Sequence, residues 1–410
     1  MYDVIVVGAR VAGASTALLL ARHGLKVLAV DRATFPSDTL STHQVQVPGV
    51  ARLRRWGILD GVLAAGTPPA QAVRFDPGPV VLHGHFPDFD GASAVYSPRR
   101  TILDKLLVDA ARAAGAEVRE RFAVDELVFD GERVAGIRGR EAGGRAATEA
   151  ARLVVGADGR HSAVAKAVAA PAYHVKRALS TAYYAYWSGV EVDGGEMYSR
   201  TCARRIVGAW PTNDGLVVTY VAAPASAFHA FRADPEGAIL AALDNCGDLG
   251  ERARAGERAE RVFGTADTQN RFHKPYGPGW ALVGDAGLVM DPVTGAGIAD
   301  ALRDAELLAD AVVAGLNGGT TLAGYQAVRD ATALPMYEMT TDLASFSPPR
   351  REQEMLVRAL EGDQAEIDRF LSVLTGSLPI PEYFTPRNML RLIGLRGLWQ
   401  AMRSQRKMRA

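Results

Sequence analysis

Gly284-Asp285-Ala286, then Asp291-Pro292, then Gly295-Ala296-Gly297-Ile298 place an acid and a run of small residues at a spacing that suits a polyol joined to a planar ring. An acid at a strand end can accept hydrogen bonds from hydroxyls. A loop without bulky side chains lets backbone N–H groups approach a flat ring. A helix starting where that loop ends adds partial positive charge. This suits a ring that turns negative on one edge when reduced, as a flavin does. The flanking pattern supplies the elements: Gly279 to Val283 predicts a buried strand and Ile298 to Ala314 an amphipathic helix.

The N-terminus carries a second candidate site. Tyr2 to Val7 is an apolar run, Gly8-Ala9-Arg10-Val11-Ala12-Gly13 follows at once, and helical periodicity runs through Ala14, Ala17, Leu18, Leu20 and Ala21. A further apolar run from Lys26 ends at Asp31, about two dozen residues after Gly8, which is the spacing of a dinucleotide-binding βαβ unit. In that layout Gly8 makes the tight turn, Gly13 lets helix and strand pack closely, and Asp31 accepts from a ribose. Arg10 stands where a middle glycine lets the backbone reach a pyrophosphate. Its side chain either reaches a phosphate or turns away and leaves the backbone amides to bind. A third segment, Ala151 to Val155, predicts a strand ending in the turn Gly156-Ala157-Asp158-Gly159.

The three motifs, in this order, resemble the flavoprotein monooxygenases typified by para-hydroxybenzoate hydroxylase, over residues 1 to roughly 345, with Arg100-Thr101-Ile102-Leu103 matching that family's Arg-x-x-Leu helix start. The resemblance implies non-covalent FAD, with Gly8, Arg10, Val11, Ala12, Gly13, Asp31 and Arg32 around its ADP half. It implies Arg100, Gly284 and Asp285 at the ribityl and pyrophosphate region, and Val124 at the adenine. Asp158 would serve FAD and pyridine nucleotide, and Pro292, Gly295, Ala296 and Gly297 would face the ring. Ala296 departs from the family's usual Gln. The stretch from Phe35 to His43 is similar to the geranylgeranyl reductase and halogenase branches of the superfamily, with Thr42-His43 in place of their Cys-Gly.

Composition narrows the alternatives. The 410 residues are 48% hydrophobic with zero formal net charge, which describes a globular chain with no electrostatic case for nucleic acid. Two cysteines, Cys202 and Cys246, are too few for a disulfide framework, so a reducing cytoplasm is expected. No apolar run is long enough to span a membrane, and the first strand begins too early to leave room for a signal peptide. The eight histidines are scattered, and no metal site is expected.

Residues 171–270 change character. Ala178 to Val192, Glu196 to Thr201, Arg204 to Trp210 and Gly215 to Ala222 alternate like antiparallel strands, with Tyr183, Tyr184, Tyr186, Trp187, Trp210 and Tyr220 among them. These aromatics either roof a substrate cavity beside the flavin or simply reflect strand preference. His43 either touches ring or substrate, with a covalent flavin link as a further option, or is an ordinary loop histidine. Arg204 and Arg205 either face an acidic substrate or are solvated. Arg350 to Phe370 predicts a helix. Arg387 to Arg409 has no acid and spaces Leu390, Ile393, Leu395, Leu398, Trp399 and Met402 at helical intervals, so it either lies on an anionic membrane or packs on its own domain.

The expected fold is α/β: a discontinuous Rossmann-like FAD-binding domain (1–70, 95–170, 271–345), an inserted, mostly antiparallel β-sheet substrate domain (71–94, 171–270) and a helical C-terminal region (346–410). The resemblance implies a monooxygenase that uses NAD(P)H and O2 to hydroxylate or epoxidise a small aromatic or hydrophobic substrate. Its rivals are a flavin-dependent reductase of isoprenoid C=C bonds, a nicotinamide-dependent dehydrogenase and a non-catalytic FAD-binding protein. Halogenation is disfavoured because Trp56, Trp187, Trp210, Trp280 and Trp399 are isolated, whereas that branch carries a close tryptophan pair.

Overall fold

Near-continuous apolar strands are buried on both faces and pair in parallel, whereas alternating strands bury one face at a time. The chain uses both kinds. In chain order the strands used below are β1 (Tyr2–Val7), β2 (Val27–Asp31), β3 (Glu117–Glu120), β4 (Ala146–Gly156), β5 (Ser180–Ser188), β6 (Gly195–Arg200), β7 (Arg205–Pro211), β8 (Val217–Pro224) and β9 (Trp280–Leu282). The helices are α1 (Val11–Arg22), α2 (Arg100–Ala113), α3 (Gly297–Leu316), α4 (Leu322–Leu343) and α5 (Pro386–Arg409). The computed structural model describes residues 1–200, 203–316 and 322–409, so Thr201 and Cys202 lie outside the described residues.

The fold is α/β. Five strands of the first sheet, β9-β4-β1-β2-β3, are parallel neighbours, and the strands Tyr276–Gly277, Ala123–Asp130 and Arg133–Arg140 join it antiparallel. Val4 lies opposite Leu153 on one side and Val27 on the other. Leu18 of α1 and Leu302, Ala305 and Leu308 of α3 bury one face, while Leu28, Phe122 and Ile137 belong to the core on the other. In a parallel sheet all strands deliver their carboxyl ends to one edge. Because β9, β4 and β1 are adjacent, the turns at Gly284, Gly156 and Gly8 meet there although they are far apart in sequence.

The second sheet is mostly antiparallel: β5, β8, β7 and β6 in that order, with Ala72–Asp76 added parallel to β6 and Leu82–His85 beside it. Side chains alternate between faces along each strand, and this parity divides the aromatic group. Tyr184, Tyr186, Trp210 and Val218 belong to the main core on the inner face. Tyr183, Trp187, Tyr198 and Val221 face outward, under the helices Phe228–Ala233, Pro235–Leu243 and Leu249–Ala255. These helices lie inside 171–270, after the four alternating segments, in a stretch where the sequence pattern predicts no element.

The C-terminal region departs from its expected outline at two glycines. Gly362 (φ +84°) ends the single helix expected over 350–370, leaving Arg351–Ala359 and Gln364–Thr375. Gly394 (φ +67°) breaks α5. Before that break Met389 and Ile393 are buried against the chain's own core and Arg391 pairs with Glu366; beyond it Leu395 and Trp399 are exposed. The side chains of Leu398 and Met402 lie outside the described ones.

Trp187 is 2% exposed and its indole N–H donates to Thr219 Oγ1 at 2.8 Å. Trp187→Ala should therefore lower unfolding stability by about 3–5 kcal/mol in urea titration while FAD affinity stays at the wild-type level.

Candidate functional site

The β1–α1 turn is set by backbone crowding. Gly8 sits at φ +100° and donates its N–H to Val30 O at 2.8 Å; a Cβ there would overlap the Ala157 carbonyl. A Cβ on Gly13 would overlap the carbonyl of Gly8. Arg10, by contrast, has φ −84°, so an L residue fits without strain. Its guanidinium turns back to hold the 35–38 loop. It donates to Asp104 Oδ2 (2.8 Å), Ser37 O (3.3 Å), Ser37 Oγ (3.2 Å) and Asp38 O (3.1 Å), and lies 5.8 Å from the centre of the Phe35 ring.

Asp104 is fully buried and shared. Arg100 donates to both of its oxygens at 3.0 Å, so one carboxylate joins two guanidiniums and the group keeps a net positive charge beside the cleft. Asp31 accepts from Ala9 N–H (2.7 Å) and Ala33 N–H (2.8 Å), tying the end of β2 to the glycine turn. Asp158 accepts from Ser162 Oγ (2.5 Å) and from the N–H groups of Ala163 (2.6 Å) and Val164 (3.2 Å), capping the helix Ala163–Ala167.

Asp285 lies on the cleft floor, and its carboxylate has no hydrogen-bond partner among the described residues. Water reaches it, yet the enclosing protein pushes its carboxyl up from the usual range, while Arg160, Arg100 and Arg271 pull it back. Beyond it, Gly295 adopts φ +63°, and a Cβ there would press on Gln44 Oε1. Gln46 Nε2 donates to Thr294 O (3.1 Å) and Gln44 Oε1 (3.0 Å), holding that loop from below. The first turn of α3 opens onto the same cleft, which carries its helix-end positive charge.

Asp291 is 2% exposed. Its Oδ1 accepts from Ser180 Oγ (2.9 Å) and Val293 N–H (3.3 Å), and its own N–H donates to Asn270 Oδ1 (2.7 Å). Burial pushes this carboxyl up to about 6, against the lowering effect of the Ser180 and Val293 bonds to it. These bonds stitch the Pro292 loop to the start of β5 and so join the two sheets.

One cleft of about 730 Å³ collects these groups. Gly8, Arg10, Val11, Ala12, Asp31, Arg32, Arg100, Val124, Asp158, Gly284, Asp285, Pro292, Gly295, Ala296 and Gly297 all line it; Gly13 stands behind as the packing glycine. Ala182, Tyr184 and Tyr220 roof it. The other aromatic and basic candidates lie elsewhere. Trp187 faces outward, because its odd position puts it on the opposite side of β5 from Tyr184. Trp210 shares the inner face but packs over Gly195, away from the cleft. Arg204 is exposed at the β6–β7 turn. His43 backs the wall formed by Ser41 and Thr42: its Nε2 lies 2.7 Å from the Tyr186 hydroxyl and its ring 5.1 Å from that of Tyr184. Burial, with Arg100 and Arg99 nearby, lowers the His43 pKa to about 3, so the ring is neutral.

The sequence matches the family described as FAD binding domain over residues 1–339. The chain belongs to that family. FAD is its cofactor and the protein is a flavin-dependent oxidoreductase. It is 26% identical over 333 residues to digeranylgeranylglycerophospholipid reductase 1 of Methanococcoides burtonii (76% of this chain, 74% of that one). It is 27% identical to the kynurenine 3-monooxygenase of Salinispora arenicola (93% of this chain, 86% of that one). The structure of the flavin-dependent brominase Bmp2 superposes with a TM-score of 0.79 at 19% identity, covering 99% of each chain, and at that identity shows the shared fold. Resemblance to both the hydroxylase and the reductase branches of the superfamily therefore stands.

Sequence reasoning missed Asp104, Asp300 and Asp304. The last two line the cleft from α3, with Arg303 donating to Asp300 at 2.5 Å and to Asp304 at 2.7 Å. The available signals were Arg100 and Asp104 four apart, and Asp300 and Asp304 four apart on α3 with Arg303 between them.

Two outcomes follow for the cleft. Asp285→Ala should weaken FAD binding roughly ten- to a hundredfold in equilibrium titration of the apoprotein, since it removes an unpaired acceptor from the floor. Asp291 binds its proton more tightly when folded than when unfolded, so its contribution to stability is full below about pH 4 and is lost as pH rises through about 6. That loss is at most about 3 kcal/mol. Asp291→Asn should flatten this part of the pH–stability profile, measured by urea unfolding between pH 4 and 7.

Proposed function

We propose that the protein is a cytoplasmic monooxygenase that uses NAD(P)H and O2 to hydroxylate or epoxidise a small aromatic or hydrophobic substrate. In this reading residues 1–70, 95–170 and 271–345 hold FAD, 71–94 and 171–270 hold the substrate, and 346–410 form the helical remainder. The roof carries the reading: Ala182, Tyr184 and Tyr220 of an antiparallel sheet close over the loop at Pro292–Gly297. A flat apolar substrate fits between such a roof and a ring lying on that loop. The 27% identity with a kynurenine 3-monooxygenase along 93% of the chain supports the same class.

The chain's own groups have the following roles. The Gly8–Gly13 turn and the start of α1 would hold the pyrophosphate by backbone amides, helped by the positive Arg10–Asp104–Arg100 group rather than by direct contact from Arg10. Asp31 and Val124 would flank the adenosine, and Asp285 would accept from the ribityl hydroxyls. The N–H groups at Gly297 and Ile298 would stabilise negative charge on the ring edge. When bound, FAD carries two electrons from NAD(P)H to O2, one oxygen atom going to the substrate and the other to water. Tyr184 and Ala182 exclude water from that space. Because burial keeps His43 neutral and Tyr186 occupies its Nε2, we assign it to wall packing rather than to a covalent flavin bond.

The reductase reading is supported by the 26% identity with a digeranylgeranylglycerophospholipid reductase. The two separate cleanly. With substrate present, NAD(P)H consumption should depend on O2, and one atom of labelled oxygen should appear in the product. Anaerobic conversion by the reduced holoenzyme with gain of two hydrogens and no oxygen would establish the reductase instead.

A further inference from the structure

The stretch from Thr294 to Ile298 lines the cleft, and the N–H groups of Ala296, Gly297 and Ile298 have no protein acceptor among the described residues. Thr294 O is the carbonyl that Ile298 N–H would take if α3 began one turn earlier. Gln46 Nε2 donates to it instead, at 3.1 Å, and Gly295, left-handed at φ +63°, separates it from the helix.

Gln46 does not act alone. It is 5% exposed and Gln44 is 7% exposed. The two flank Val45, which exchanges backbone hydrogen bonds with Tyr96 at 2.7 and 3.3 Å, so in this extended stretch their side chains leave on one side. Gln46 Nε2 also donates to Gln44 Oε1 at 3.0 Å, and Gln44 Oε1 is the atom that a Cβ on Gly295 would strike. Directly after Gln46 begins the helix Val47–Arg55, whose Gly49 lies against Ala299 of α3. The arrangement has a cost. With Nε2 committed to Thr294 O and Gln44 Oε1, Gln46 Oε1 is buried without a hydrogen-bond partner among the described residues. Folded proteins pair nearly all such atoms, so this orientation calls for an explanation.

We propose that Gln46, seated on Gln44, is a positioning residue for the flavin: it occupies Thr294 O, so the Gly297 and Ile298 amides stay available to the ring edge that turns negative on reduction. This rests on the placement of the ring over the Pro292–Gly297 loop, and it holds for a monooxygenase and a reductase alike. Amides held ready to donate favour the reduced, anionic ring over the oxidised one. The reduction potential reports that preference, because it follows the ratio of the affinities for the two forms.

The test is the two-electron midpoint potential of the flavin in the holoenzyme, read by equilibration with a redox dye. Gln46→Met keeps the length of the side chain and removes its donors. It should lower the preference for reduced over oxidised FAD about tenfold, which makes the potential about 30 mV more negative. Gln44→Met leaves the bond to Thr294 O and should shift the potential the same way by less. Both variants should keep oxidised FAD bound. A purely structural role would cost unfolding stability and leave the potential where it is, and that result in both variants overturns the proposal. Loss of oxidised FAD by both overturns it too. Gly297→Ala reads the placement of the ring separately, because its Cβ would meet no protein atom within 4 Å and would enter the cleft. A changed flavin spectrum or FAD affinity in that variant supports the ring over the loop. No change in either removes the ring from the loop, and the proposal falls with it. A changed Gly297→Ala beside an unchanged potential in both glutamine variants overturns the clamp alone.

Discussion

The contact of three backbones at Gly8 is the constraint on which the cleft depends. The turn after β1 passes so close to the Ala157 carbonyl that no side chain fits at Gly8, and the start of α1 lies so close to the Gly8 carbonyl that none fits at Gly13. These approaches bring the carboxyl ends of β1 and β4 and the first turn of α1 into one edge. With β9 next to β4, Asp285 joins the same edge. A single Cβ at either glycine would push β1 from β4 or α1 from the turn.

Charge in the cleft is arranged in shared pairs. Buried carboxylates are costly unless partnered, and Asp104 is partnered twice, by Arg10 and Arg100. The arginine that replaces the middle glycine thus braces the loop at Ser37 and Asp38, and the backbone amides of the turn stay uncovered. Asp300 and Asp304 share Arg303 in the same way. Asp285 stands apart, with an unshared carboxylate where the cleft needs an acceptor. Asp291 serves a different end: it links the ring-side loop to β5, so the roof and the floor are set by one buried side chain.

The second sheet separates packing from binding through strand parity. Its outer face meets three helices and is an ordinary core, with Tyr183 stacked on Phe231 at 4.5 Å. Its inner face is shared between core and cleft, and there Tyr184 stacks on Phe263 at 5.0 Å while its hydroxyl end finds no partner. Adjacent aromatics in one strand therefore do unrelated work.

Much of this was legible in the chain itself. The glycines, Asp31, Asp158 and Asp285 follow apolar runs at short spacings, so each can be placed at the end of a strand from the chain alone. The α/β class and the placement of α1, α2 and α3 follow from periodicity. What needed the tertiary structure were properties set by neighbours distant in sequence. The direction of Arg10 is decided by Asp104, ninety-four positions away. Trp187, Trp210 and Arg204 share the composition of a cavity wall, but strand parity, position along the strand and a hairpin turn take them out of it. His43 is placed behind the wall by Tyr186, and Asp291 becomes a buried carboxyl only because Ser180 and Asn270 close over it. Sequence spacing encodes contacts along one strand or one helix turn; it does not encode which strand will lie across the sheet.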